Sequence, residues 1–381
     1  MTDPDIPEPD RVEGALHPRE TLRLIGQGAA ESAFLDAVKG GRLHHGWLLT
    51  GPRGVGKATL AWRIARFLLA TPTSSDAGLF GDPLPQPDTL DIAADHPVSR
   101  RLMAGSEPRL FLLRRAWDQE KKRLKTVITV DEVRRLKSFF QLSSADGGRR
   151  VAIVDSADEM NPNAANALLK VLEEPPADVT LLLVSHQPSG LLPTIRSRCR
   201  ELRLVPMSPG EMAEAMAAAG GEVSNSEALA TLAGGSVGAA IRLANLDGLE
   251  IYARMVALFT TLPRLDRAKA LQLAESASGR GLEQRLDLLM VLFDLFLARL
   301  ARFGVAGAMG PEAAPGEAAL LARLSPDQAA GRRWADLHQA LGARSRHGRS
   351  VNLDPAALLL DMILKIDEVA TELAARPESR S

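Results

Sequence analysis

Hydrophobic positions along the chain change period several times. From Thr21 to Val38 the apolar residues Leu24, Ala30, Phe34 and Val38 follow an amphipathic helical pattern. A short apolar run, Trp47, Leu48 and Leu49, then meets a glycine-rich loop, beyond which Leu60, Ile64, Phe67 and Leu68 mark one face of a helix. This is a strand–loop–helix unit. From Thr71 to Pro108 the chain is rich in Pro, Gly, Ser and Asp without a clear period, as expected of a long loop or insertion. Thr129 and Glu132 form a capping box that predicts a helix starting near Val130 and running through Val133, Leu136 and Phe140.

Two four-residue apolar runs, Val151–Val154 and Leu181–Val184, suit strands buried on both faces. Between them Asn161 and Pro162 cap a helix that stops at Pro175 and Pro176. Strands alternating with helices predict a parallel α/β sheet of the nucleotide-binding type, ending near Val205. Pro206, Ser208, Pro209 and Glu211 then open a helical stretch broken at Gly234 and Gly235, read as a small lid. From Leu249 the pattern stays helical, interrupted from Gly304 to Gly316 and restarted at Ser325-Pro326 and Asp354-Pro355. The expected division is a disordered arm over 1–19, an α/β domain over 20–205, a helical lid over 206–248 and an all-α domain over 249–381.

Composition narrows this picture. A chain of 381 residues is long enough for two or three domains. Forty-six Lys and Arg against 47 Asp and Glu leave a net charge of −1, so any nucleic-acid contact must be local rather than a property of the whole chain. The single cysteine excludes an internal disulfide and a cysteine-only zinc cluster, which suits a reducing compartment. The acidic, proline-rich first fifteen residues carry no apolar signal segment, and no apolar run is long enough to span a membrane.

The chemistry centres on Gly51-Pro52-Arg53-Gly54-Val55-Gly56-Lys57. Glycines at this spacing let backbone N–H groups converge on phosphate oxygens, and the lysine adds a point charge. The next residue should carry a hydroxyl for magnesium, but it is Ala58. Thr59 follows, turned by about 100° around the helix and so poorly placed to substitute. The run Val151–Val154 delivers Asp155, which could hold magnesium, but Ser156 follows where a catalytic carboxylate is needed to orient water. Asp158 and Glu159 are read as helix-start acids serving the dipole. Two independent chemical losses favour a protein that has kept the fold and abandoned hydrolysis.

The combination of motifs resembles bacterial clamp-loader subunits of the gamma and delta-prime type. It rests on Gly41-Arg42-Leu43-His44-His45 before the phosphate loop, on the run NPNAANALLKVLEEPP from Asn161 to Pro176, and on Ser197-Arg198-Cys199. The motifs cover residues 20–205, and the rest is compatible only as a helical layout. The resemblance implies a P-loop AAA+ domain, a helical lid and an all-α collar joining five subunits in a ring. It implies that Arg198 acts as an arginine finger in trans, stabilising charge on a γ-phosphate held by a neighbouring subunit. It also implies gamma/tau ATPase subunits, a delta subunit, a sliding clamp and primer-template DNA as partners, with no membrane contact. The implied location is the bacterial cytoplasm, at the nucleoid through the replisome.

Departures from the ATP-hydrolysing relatives point to the delta-prime kind. After Gly235-Ser236-Val237, where those relatives carry a sensor arginine, this chain has Gly238. Ser185 and His186 occupy the place of a nucleotide-sensing polar residue. Relatives carry a four-cysteine zinc module after the phosphate-loop helix, but here the one cysteine is Cys199, so no zinc is expected, and His96 alone is no metal site. No cofactor is required; ATP or ADP could still rest on Gly51, Gly54, Val55, Gly56, Lys57, Ala58, Thr59 and Asp155. Arg114, Arg115, Lys121, Lys122, Arg123 and Lys125 cluster around Trp117, a pattern read as a solvated hairpin or subunit contact ahead of direct DNA binding. Two rivals stay open: an active, gamma-like ATPase in which Thr59 or a water replaces the lost hydroxyl, and a small-molecule phosphotransferase, which would need a base and an acceptor pocket.

Overall fold

The computed structural model describes residues 8, 11–41, 43–71, 87–141, 148–218, 225–279, 281–308, 310–351 and 353–375. The chain divides into two compact units, Met1–Val223 with Gly235–Ile241, and Ser224–Gly234 with Arg242–Ser381.

The first unit opens with α1 (Gly28–Lys39), β1 (Gly46–Thr50) and α2 (Lys57–Ala70). It continues through α3 (Pro97–Met103), β2 (Leu110–Leu113), β3 (Trp117–Asp118), β4 (Arg123–Leu124) and α4 (Val130–Gln141). Then come β5 (Arg150–Val154), α5 (Pro162–Glu173), β6 (Val179–Val184), α6 (Pro193–Arg196), β7 (Arg200–Arg203) and α7 (Pro209–Ala218). Strands β2, β5, β6, β1 and β7 form one sheet in that order, every neighbouring pair parallel, and β3 and β4 form a separate antiparallel pair.

Alternate strand residues feed two cores, as the period of two requires. Trp47, Leu49, Val151, Ile153, Leu182 and Val184 pack with Phe34, Leu60, Ile64 and Leu68 of α1 and α2. Leu48, Ala152, Val154, Leu181 and Leu183 pack with Leu136, Leu168 and Leu172 of α4 and α5. Helix starts follow local chemistry. Asn161 Oδ1 accepts the N–H of Ala164 at 2.8 Å, with Pro162 at the first helical position. Glu132 Oε2 accepts the N–H of Thr129 at 2.8 Å, and Glu211 Oε2 accepts the N–H of Ser208 at 2.8 Å, one arm of each expected capping box.

Three expectations change. The helix read from Thr21 starts only at Gly28, because Gly26 adopts a left-handed φ of +72° and breaks the turn before it. The arm expected to be disordered over 1–19 is packed at its described end. His17 is fully buried with its ring 6.0 Å from Trp62, Arg66 donates to Arg19 O at 2.5 Å, and Glu8 pairs with Arg19 at 2.8 Å and Arg114 at 3.1 Å. Residues 1–7 and 9–10 of that arm lie outside the described residues. The insertion from Thr71 to Pro108 contains α3, capped by His96 Nδ1 on the N–H of Val98 at 3.2 Å, and its residues 72–86 lie outside the described residues.

The second unit is helical: α8 (Ser226–Ala233), the end of α9 (Val237–Asn245), α10 (Gly248–Phe259), α11 (Arg267–Glu275), α12 (Glu283–Ala306), α13 (Glu317–Leu324), α14 (Gln328–Ser350) and α15 (Pro355–Ala374). Its core holds Tyr252, Phe259, Phe293, Phe296, Trp334 and Ile366, with Phe259 stacked on Phe296 at 4.9 Å. Helices α12 and α14 meet at Gly304 and Gly331, where a Cβ on Gly331 would lie 2.9 Å from Ala301 O. The lid expected as a separate domain over 206–248 is divided between the units. Its Gly235 belongs with the first because the Met207 N–H donates to Gly235 O at 3.0 Å and a Cβ there would strike Pro206 Cβ at 2.5 Å. Among the described residues no helix is long and apolar enough to cross a membrane.

Candidate functional site

The phosphate loop lies between the C-terminal end of β1 and the start of α2, where parallel sheets of this kind bind ligands. Gly51, Gly54 and Gly56 take φ of +136°, +79° and +101°. At Gly51 a side chain is also excluded by space, since a Cβ would sit 2.4 Å from Leu204 O. Val55 is fully buried, and its carbonyl accepts Gln27 Nε2 at 3.2 Å. Gln27 also donates to Val205 O at 2.8 Å and accepts the Val205 N–H at 3.1 Å, so one buried amide ties the loop to the segment after β7. Nothing in the sequence singles out this glutamine.

Lys57 opens α2 and is buried. Its ammonium donates to Gly51 O at 2.7 Å and Pro52 O at 2.5 Å, the loop's own carbonyls. Burial pulls its pKa down to about 8 against the opposing field of Asp158, with Arg53 adding to the fall. A phosphate entering the loop must compete for these two bonds. Ala58 and Thr59 follow on the first turn of α2, both half-buried, and Ala58 offers no hydroxyl.

A second feature bears on the loop. The N–H of Gly238, at the start of α9, donates to Gly54 O at 3.2 Å, and a Cβ on Gly54 would lie 2.3 Å from Ser236 Oγ. Gly238 thus brings α9 into backbone contact with the phosphate loop. A Cβ at Gly238 would already stand 3.3 Å from Gly54 Cα, and an arginine there would need the two segments to part.

Asp155 ends β5, buried, its N–H on Leu113 O at 2.8 Å. Ser156 takes a left-handed φ of 58° and its hydroxyl lies 3.2 Å from His186 Nε2. The His186 N–H donates to Asp158 Oδ1 at 3.0 Å, and Arg115 pairs with Glu159 at 2.7 Å. Asp158 thus braces the segment after β6 and Glu159 the segment after β2, while Asp158 also lies within the field of Lys57. Burial, reinforced by the Lys57 charge, drives the His186 pKa down to about 4, so the imidazole is neutral at pH 7.

Arg198 is elsewhere. It lies between α6 and β7, and the register that pairs Trp47 with Arg200 places it beside the N-terminal end of β1. A Cβ on Gly46 would touch Arg198 O at 3.3 Å and Cys199 Sγ at 3.3 Å. The phosphate loop leaves the opposite end of β1, roughly 16 Å away at 3.3 Å per strand residue. The Arg198 side chain is 38% exposed, and its guanidinium is held by Glu173 at 3.0 Å and Thr194 O at 3.1 Å. Cys199 is half-buried, and burial raises its thiol to about 12. The structure thus brings together the phosphate-loop residues, Asp155, Ser156 and His186, and keeps Arg198 apart from them.

The all-parallel order β2-β5-β6-β1-β7, with a phosphate loop after β1, a carboxylate after β5 and a polar pair after β6, defines a P-loop nucleotide-binding fold of the AAA+ class. Residues 26–208 match the family described as DNA polymerase III, delta subunit. It is 41% identical over 162 residues to DNA polymerase III subunit delta′ of Pseudomonas aeruginosa, covering 42% of this chain and 43% of that protein. Subunit delta′ of Escherichia coli strain K12 is 30% identical over 219 residues, 57% of this chain and 59% of that protein. Subunit tau of Salmonella typhimurium is 30% identical over 187 residues, 49% of this chain and 26% of that protein. The matched stretch spans about half the length of the delta′ relatives.

Proposed function

We propose that this chain is a delta-prime subunit of a bacterial DNA polymerase III clamp loader. In this reading it helps gamma/tau-type ATPase subunits and a delta subunit place a sliding clamp on primed DNA, and it supplies Arg198 to a neighbour's nucleotide without hydrolysing ATP itself. The observation that carries the reading is the placement of Arg198 at the end of the sheet opposite its own phosphate loop. From there the guanidinium cannot reach a phosphate on Gly51–Lys57, but it can meet one presented by an adjacent subunit. At such a site its fixed planar charge would offset the negative charge growing on the γ-phosphate oxygens, a role for which lysine is a poor substitute. The chain's own loop supports the silent half of the proposal through Ala58, Ser156 and the contact of Gly54 with Gly238.

The test is ATPase and clamp-loading activity of the reconstituted complex carrying Arg198→Ala or Arg198→Lys. Turnover at the site facing Arg198 should fall on the order of a thousandfold in both, read as loss of part of the complex's ATPase, with assembly and circular dichroism unchanged. Undiminished ATPase and loading would sink the assignment.

A further inference from the structure

The hairpin of β3 and β4 belongs to neither core of the first unit. It is a two-stranded ribbon of its own, pairing Trp117 with Leu124 and Asp118 with Arg123. Residues 114–137, which run through this hairpin into α4, carry nine Lys and Arg against four Asp and Glu, in a chain whose total balance is −1. We propose that the hairpin and the first turns of α4 form a binding surface for a single-stranded nucleic acid.

Three observations support it. The tip is built to present cations: Asp118 Oδ1 accepts the N–H groups of Glu120 at 3.1 Å and Lys121 at 3.0 Å, and Lys122 takes a left-handed φ of 49°. The turn so fixed leaves Lys121, Lys122 and Arg123 exposed side by side. Behind the tip, Trp117 lines an open cleft of about 330 Å³ together with Phe111, Arg114, Arg115, Glu132 and Arg135. The three arginines are paired with Glu8, Glu159 and Glu132, so the cleft offers an aromatic face to a stacked base while the phosphate contacts fall to the exposed tip cations. The acids nearby are largely spent. Glu132, nearly fully buried, is taken up by Lys125 at 3.1 Å, Arg135 at 3.3 Å and the Thr129 N–H at 2.8 Å, and Asp118 is committed to the turn. Sequence alone favoured a solvated hairpin or subunit contact; the cleft under Trp117 changes that, because an acidic protein surface would need the cations but not an aromatic-walled cleft.

The experiment uses the full chain alone, so its result is independent of the Arg198 proposal. Binding of a fluorescein-labelled oligo-dT of about 20 nucleotides is followed by anisotropy between about 50 and 200 mM salt. The triple variant Lys121→Ala, Lys122→Ala, Arg123→Ala should bind about tenfold or more weakly at the lower salt, and the slope of log affinity against log salt should shrink by about 2. Trp117→Ala should weaken binding on the order of tenfold while leaving that slope unchanged, since stacking releases no counterions. Absence of oligonucleotide binding, or binding indifferent to the three tip substitutions in a variant with native circular dichroism, overturns the proposal and leaves the cations to an acidic protein partner.

Discussion

Ser156 occupies a position where a water-activating carboxylate would stand in a hydrolase of this fold, and its hydroxyl is joined to His186 Nε2. Burial and the neighbouring Lys57 hold that imidazole down to about 4. The unfolded chain takes up this proton near pH 6.5 and the folded chain only near pH 4. Folded stability is therefore fully present above pH 6.5 and declines as pH falls through the interval to 4. Urea unfolding at a series of pH values should show wild type losing more stability between pH 6.5 and 4 than His186→Gln; parallel losses would mean that the folded protein protonates His186 freely. At this scale the placement of Ala58 on the first turn of α2 and of Ser156 just after β5 was legible, because the loop and the strand before them fix those positions. Gln27 was not, since its role depends on Val55 and Val205 being brought together by the fold.

Elements buried on both faces could be read from their apolar runs, as β1, β5 and β6 show. The edge strands β2 and β7 were missed. Strand β7 reads Arg200-Glu201-Leu202-Arg203, with one buried residue, and its pairing with β1 is set by the sheet rather than by its own composition. Helix starts with a capping side chain were legible, whereas α1 was read too long through Gly26. In the second unit three elements meet at a polar pin that periodicity cannot reveal. Glu317 of α13 is fully buried and accepts from Tyr252 of α10 at 2.5 Å, Arg299 of α12 at 2.6 Å and the Ala313 N–H at 2.8 Å. Burial and the adjacent Glu317 carboxylate push the Tyr252 phenol up, so it stays a donor at any working pH. Glu317→Ala should destabilise this unit by about 3–5 kcal/mol, because it strands the Arg299 charge and the phenol together. Denaturant unfolding would register this, and a loss below about 1 kcal/mol would show that both groups recover their partners elsewhere.

For the whole molecule, the split into an α/β part and a helical part was legible from the change of period near Val205. The division of residues 206–248 between two units was not. That boundary depends on Gly235 and Gly238 approaching Pro206 and Gly54, contacts far apart in sequence. The purified chain with magnesium and ATP should show no turnover above background, since Ala58 and Ser156 remove the metal hydroxyl and the water-orienting carboxylate. Sustained turnover abolished by Lys57→Ala would restore the gamma-like alternative.

The opposed placement of Arg198 and the phosphate loop gives the first unit a direction. Repeated head to tail, such units would each carry an arginine to the next one's loop, making an array with two unlike ends. If Arg198 serves as proposed, a member whose arginine is live and whose loop is inert can support a neighbour on one side but has no use for an arginine on the other. It is an end piece: its position along the array would be fixed by which of its two faces still has chemistry to share.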